Sequence, residues 1–195
     1  MEIQLLQTLH SIISDLADAL VYVPQGFILG IIMVTMIMVW CGFRRRPYPP
    51  GYKLTVIFLV GIYAAVYMNL TFLSREPGSR IGRDWQLFAT WGTHWIPDTY
   101  FIENILLLIP LGFLLPIGVQ KFQKLRFCAG VGALVSIVTE SIQLITQRGH
   151  CQVDDVMTNI LGMAVGWMMY RWVRKRYLMV SSLETAKIFI IHGRS

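Results

Sequence analysis

Glu140 lies two-thirds of the way along an apolar run, in VSIVTESIQLITQRG. An ionisable group at the centre of a membrane helix costs about 2.5–3.5 kcal/mol even on the mildest insertion scale. Ser136, Glu140, Gln143 and Gln147 are spaced by four, three and four residues, so a helix places them on one face. That face must meet protein or water rather than lipid. The next run opens with Asp154 and Asp155, and Asn159 follows one turn later. Gly162 and Gly166 continue its face as a GxxxG pattern that lets a neighbouring helix approach closely. Asn159 should therefore point into the bundle at the depth of Gln143 or Glu140. In an earlier run Glu103 and Asn104 stand near the same end, and Pro110 removes a backbone donor and can kink the helix.

Two kinds of chemistry fit these residue types. Glu140, a carboxyl in apolar surroundings, suits work as a general acid or base. Arg148, together with Arg75, would hold a phosphate or carboxylate through bidentate guanidinium contacts, with Asn104, Gln143, Asp154, Asp155 and Asn159 lining and orienting the ligand. A purely structural reading is also open, in which Arg148 pairs with Asp154, Asp155 or Glu140 and fixes the loop 147–155. Both readings place polar groups in the outer halves of three helices, and an outward-facing polar cavity satisfies them together. His94, Asp98, His150 and Cys151 form too irregular a set to predict a metal, so neither metal nor cofactor is expected. Ser74, Ser136 and Ser141 have no histidine at a suggestive spacing, which argues against a serine nucleophile.

The elements that must position these residues follow from composition. The 195 residues are 55% hydrophobic and 14% charged, against roughly 25% charged in an ordinary soluble domain. Apolar runs predict five transmembrane helices at about 25–43, 54–73, 101–119, 127–146 and 156–173. The net charge of +6 does not point to nucleic acid, because the basic residues cluster beside the apolar runs. Segments 44–53, 120–126 and 171–195 carry 13 Lys and Arg, whereas 1–25, 74–100 and 147–155 carry four. Positive-inside bias then predicts the N-terminus outside the cell and the C-terminus in the cytoplasm. Cys41, Cys128 and Cys151 are too dispersed for a disulfide framework or a zinc site.

Residues 1–24 are interrupted by Glu2, His10, Asp15 and Asp18, but Leu5, Leu6, Leu9, Ile12, Ile13, Leu16 and Leu20 recur at helical spacing. They predict an amphipathic helix, either on the outer membrane surface or packed on the bundle. The first span, bounded by Pro24 and by Arg44–Arg46, starts too late and lacks the basic leader of a cleaved signal peptide. The loop 74–100 holds Trp85, Trp91, Trp95 and Tyr100, which suit the headgroup zone. Gly26 and Gly30 form a second GxxxG that predicts plain helix packing. The organisation expected is an amphipathic segment 1–24, a transmembrane domain 25–176 and a cytoplasmic tail 177–195.

The stretches ENILLLIPLGFLLP (103–116) and TESIQLITQRGHCQVDDVMTNILGMAVG (139–166) resemble the VanZ-like family of bacterial membrane proteins. The family pattern falls on Asn104, Pro110, Gly112, Glu140, Gln143, Arg148, Asp154, Asp155, Asn159, Gly162 and Gly166, and LTFLSREPGSR (70–80) is similar to the family's loop after the second span. The resemblance covers about 54–173. One departure is Cys151-Gln152 where many members have Phe-Asp, which removes one external carboxylate. The resemblance implies association with resistance to the glycopeptide teicoplanin, and it implies no established catalytic reaction.

The first functional expectation is therefore action at the outer leaflet that lowers sensitivity to teicoplanin-type lipoglycopeptides, which differ from vancomycin in carrying an acyl chain. A second is an intramembrane enzyme that modifies a lipid-linked envelope precursor or a phospholipid headgroup. A structural or partner-binding role is a third. Membrane lipids, and a lipid-linked cell-wall precursor or lipoglycopeptide, are the partners these readings supply, with self-association left open. Transport fits less well, because the inner halves of the last three spans are almost wholly apolar.

Overall fold

The computed structural model describes the backbone of residues 2–73, 83–84, 99–148 and 151–192. Six helices account for nearly all of it: α1 (Glu2–Val21), α2 (Val23–Phe43), α3 (Gly51–Met68), α4 (Thr99–Gly118), α5 (Leu125–Thr146) and α6 (Val153–His192). A π-helical turn, Asn69–Leu73, extends α3, and a 3₁₀ turn, Gln120–Gln123, joins α4 to α5. A two-residue parallel pairing of β1 (Arg83–Asp84) with β2 (Cys151–Gln152) ties the loop before α4 to the entry of α6.

Local sequence sets the boundaries. Pro24 sits in the first turn of α2, where its missing N–H costs nothing. Arg45 turns the chain with φ 51° after α2, and Pro47, Pro49 and Pro50 hold it extended until Gly51. Pro110 and Pro116 both lie inside α4, which nevertheless runs unbroken from Thr99 to Gly118.

Val23–Phe43, Gly51–Leu73, Phe101–Gly118 and Leu125–Thr146 are long and apolar enough to cross a membrane. The segment expected as a fifth span is the N-terminal part of the 40-residue α6, whose apolar run is diluted by Asn159, three spaced small residues and Arg171. Burial is inverted relative to a soluble protein. Ile28, Ile32, Met36, Leu134, Ile137 and Ile145 are exposed, while Asn69, Ser136, Thr139, Glu140, Gln143, Asp154 and Asn159 are buried.

Glycine sets how closely the helices approach. A Cβ on Gly26 would stand 2.8 Å from Ile62 Cα, and one on Gly61 would stand 2.5 Å from Gly30 Cα, so α2 and α3 form a tight antiparallel hairpin. Phe27 and Phe58 close it with an edge-to-face pair at 5.3 Å. Gly162 and Gly166 of α6 lie directly against the carbonyls of Ile105 and Ile109, so α4 and α6 run parallel in backbone contact. Leu108, Leu111, Cys128 and Met163 fill the centre between α4, α5 and α6, with Tyr67 reaching in from α3. The connections carrying most of the Lys and Arg residues lie at one end of this bundle, and Gln25, Asn69, Asn104, Gln143 and Asp155 lie toward the other.

Candidate functional site

The polar cluster is built from five helices meeting at one end of an apolar bundle. Its backbone platform is the π-turn at the end of α3. There the Asn69 amide nitrogen folds back on the Ala65 carbonyl at 2.8 Å and reaches the Gln25 side-chain oxygen of α2 at 3.2 Å. The Thr71 hydroxyl donates to the Tyr67 carbonyl at 2.7 Å. A π-turn breaks the regular ladder, and here the carbonyls of Thr71 and Phe72 become acceptors for α5 and for Arg148 two residues beyond its end: Gln143 Nε2 donates to Thr71 at 3.4 Å and the Arg148 guanidinium to Phe72 at 3.3 Å.

Deeper layers follow the same register. Helices α3 and α5 run parallel, and one turn below the Gln143–Thr71 contact the Tyr67 and Thr139 hydroxyls share a hydrogen bond of 2.7 Å. Glu140, next to Thr139, is buried at 7% exposure. One turn lower still, Asn159 Nδ2 of α6 donates to Ser136 Oγ at 2.9 Å, and Asn159 Oδ1 is buried without a partner. Among the described residues the Tyr63 hydroxyl, one turn below Tyr67 on the same face of α3, is also buried without a partner. On the other flank Asn104 Nδ2 donates to Asp155 Oδ1 at 2.7 Å, an interhelical bond made feasible by the glycine-mediated approach of α4 and α6. Asp154, beside it in the first turn of α6, is buried at 3% exposure.

The structure brings Asn104, Glu140, Gln143, Arg148, Asp154, Asp155 and Asn159 to the same end of the bundle. Arg75, His94, Asp98 and His150 lie outside the described residues, as does most of the loop 74–100. Two sequence expectations need adjustment. Gln147 leaves the stripe of Ser136, Glu140 and Gln143, because α5 ends at Thr146 and Gln147 turns left-handed at φ 54° into an exposed position. Asn159 points into the bundle at the depth of Ser136, one turn below Glu140, because Met163 packs on Gly132 and sets the α5–α6 register one turn deeper. Arg148 is docked on a backbone carbonyl of the second span. Ser141 is exposed and caps back onto the Ile137 carbonyl at 2.7 Å, well away from nucleophile geometry.

Sequence reasoning passed over Gln25, Tyr67, Asn69, Thr71 and Thr139. The available signal was Asn69, an amide inside the apolar run YAAVYMNLTFL, together with the four-residue spacing of Tyr63, Tyr67 and Thr71.

The arrangement gathers amide, hydroxyl, guanidinium and carboxylate groups at one end of the bundle. Its base carries an unpaired acceptor on Asn159 and an unpaired hydroxyl on Tyr63. A family model described as VanZ/LLP1 matches residues 31–174, a longer stretch than the signature traced over 54–173 and one that takes in most of α2. No curated protein and no solved structure matches the chain.

Proposed function

Since the chain belongs to the VanZ/LLP1 family and is a membrane protein, we propose that it acts at the outer leaflet on the cell envelope and lowers sensitivity to teicoplanin-type lipoglycopeptides through its polar cluster. The observation that carries this reading is the convergence of Asn69, Asn104, Glu140, Gln143, Arg148, Asp154, Asp155 and Asn159 at the end of the bundle opposite the basic connections. Lys and Arg resist translocation, so the basic end belongs to the cytoplasm and the polar end to the outside. Helix α6 runs parallel to α4 and in contact with it, which supports its N-terminal half as the fifth span. Exposed Leu6, Ile13 and Leu20 on α1 support an N-terminal helix at the outer surface.

In this proposal the cluster engages the polar headgroup of a lipid-anchored molecule while its acyl chain remains in the leaflet. Arg148, and Arg75 from the loop after the second span, would supply the positive charge; Asp154 and Asp155 stand at the start of α6, and Asn104, Gln143 and Asn159 supply amide contacts. The test is growth inhibition of a sensitive Gram-positive host expressing the chain. Protection against teicoplanin without protection against vancomycin is the expected result, and equal protection against both contradicts a lipid-dependent action.

A second reading, an intramembrane enzyme acting on a lipid-linked precursor or phospholipid headgroup, is favoured by one observation: a buried carboxyl, Glu140, adjoins a buried hydroxyl pair, Tyr67–Thr139. Here Glu140 would move the proton and Arg148 would hold the anionic substrate. An altered lipid or muropeptide profile on expression, absent in Glu140→Gln, distinguishes it from binding alone. Unchanged profiles leave the first reading in place.

A further inference from the structure

At the end of the bundle remote from the polar cluster, two basic segments face one another across a single glutamine. The 3₁₀ connection between α4 and α5, with the first turn of α5, carries Lys121, Lys124 and Arg126, all exposed, and lies where two helices apolar enough to cross a membrane meet. Lys121 Nζ and the Arg126 guanidinium both stand over the Phe127 ring, at 4.9 and 4.8 Å. Opposite them, Trp167, Tyr170, Arg171 and Arg174 share one face of α6. The Trp167 indole donates to the Gln123 carbonyl at 3.1 Å, and Arg174 Nη1 donates to Gln123 Oε1 at 2.8 Å and to the Tyr170 hydroxyl at 3.3 Å. Arg171 lies over the Trp167 ring at 5.3 Å.

Neither 119–127 nor 167–179 contains an Asp or Glu, so this set of cations has no carboxylate in its own segments. The cations are also not splayed at random. Aromatic faces hold Lys121, Arg126 and Arg171 at the level where the two flanking spans end, and Gln123 holds Arg174. We propose that the 121–126 segment, from the 3₁₀ turn into the first turn of α5, and the Trp167–Arg174 face of α6 form a clasp for the phosphate of one anionic phospholipid. Lys121 and Arg126 approach it from one side and Arg171 and Arg174 from the other, and Phe127 and Trp167 lie beside the upper acyl region. Arg174 retains guanidinium N–H groups beyond those given to Gln123 and Tyr170, and these can donate to phosphate oxygens. Gln123 is the positioning residue, since it holds Arg174 and, through its carbonyl, Trp167. The inference stands apart from the resistance reading, because it uses none of the polar cluster.

The experiment is native mass spectrometry of the full chain in detergent with equal phosphatidylglycerol and phosphatidylcholine. One phosphatidylglycerol should remain bound under activation that strips phosphatidylcholine. Lys121→Gln and Arg174→Gln should each lower its retention about fivefold. Gln123→Leu, which leaves the charge unchanged, should lower it as well. Arg44→Gln with Arg45→Gln, on the other basic connection, should leave it intact, and monodisperse elution of every variant reports that the fold survives. Equal retention of the two lipids overturns the proposal. So does an undiminished signal in Gln123→Leu, or an equal loss in the Arg44/Arg45 pair, since either result reduces the clasp to general charge. Displacement of the lipid by millimolar inorganic phosphate overturns it too, because the site would then recognise the free anion.

Discussion

Asn159 donates its amide hydrogen to Ser136 Oγ at 2.9 Å while its own carbonyl oxygen stays buried and unpaired. A buried acceptor left without a donor costs about 1–3 kcal/mol, and a bundle that needed only packing at this position would be served as well by leucine. Asn159→Leu removes the orphan together with one hydrogen bond. Its thermal stability in detergent should therefore stay within about 1 kcal/mol of wild type, while protection against teicoplanin falls. A large loss of stability with protection retained would assign Asn159 to the scaffold.

The shared hydrogen bond of Tyr67 and Thr139 gives a second prediction. Tyr67→Phe and Thr139→Val should each destabilise, and the double variant should lose less than the two losses added together. Double-mutant cycles in a membrane protein average about 0.6 kcal/mol for such bonds, and a coupling of that order is expected from equilibrium unfolding in mixed micelles. Strict additivity would mean that the two hydroxyls do not interact.

Close helix approach supplies a third. Gly162→Leu pushes a side chain into the Ile105 carbonyl and should cost about 1–3 kcal/mol or more through overpacking, also breaking the Asn104–Asp155 bond. Gly130, exposed with nothing near its absent Cβ, serves as the comparison. Gly130→Ala should be neutral or slightly stabilising, because alanine is the better helix former. Thermal unfolding of the two variants side by side checks both.

Orientation is tested by cysteine labelling. In a chain whose native cysteines are replaced, a membrane-impermeant maleimide should label Gln147→Cys in intact cells. Lys124→Cys and Tyr177→Cys should label only after permeabilisation. Labelling of Tyr177→Cys in intact cells would remove α6 as a fifth span, and labelling of Lys124→Cys would invert the bundle.

These outcomes rest on parts of the fold that were legible to different degrees. The apolar runs and the two GxxxG patterns pointed to helix positions and close approaches that the structure realises, because a missing Cβ has one main use in a helix–helix contact. The stripe of Ser136, Glu140 and Gln143 was legible from the 3.6-residue period, and Asn104, Asp155 and Asn159 from their cost in an apolar run. Partners were harder to read. Periodicity fixes a face but not the register between two helices, so the Asn159–Ser136 pair depended on Met163 seating against Gly132. The π-turn at Asn69–Leu73 was hidden because one extra residue per turn leaves composition unchanged, and with it went the role of the Thr71 and Phe72 carbonyls. Gln147 was misplaced because a helix end in the left-handed region, without glycine, has no local marker here.

The most direct measurement compares teicoplanin and vancomycin inhibition in one Gram-positive host expressing wild type, Glu140→Gln or Arg148→Gln at matched membrane levels. The account predicts that wild type raises the teicoplanin concentration needed for inhibition and leaves vancomycin unchanged, and that both variants lose this protection while still inserting. Full protection by well-inserted Glu140→Gln and Arg148→Gln would contradict it, because the polar cluster would then contribute only to the fold.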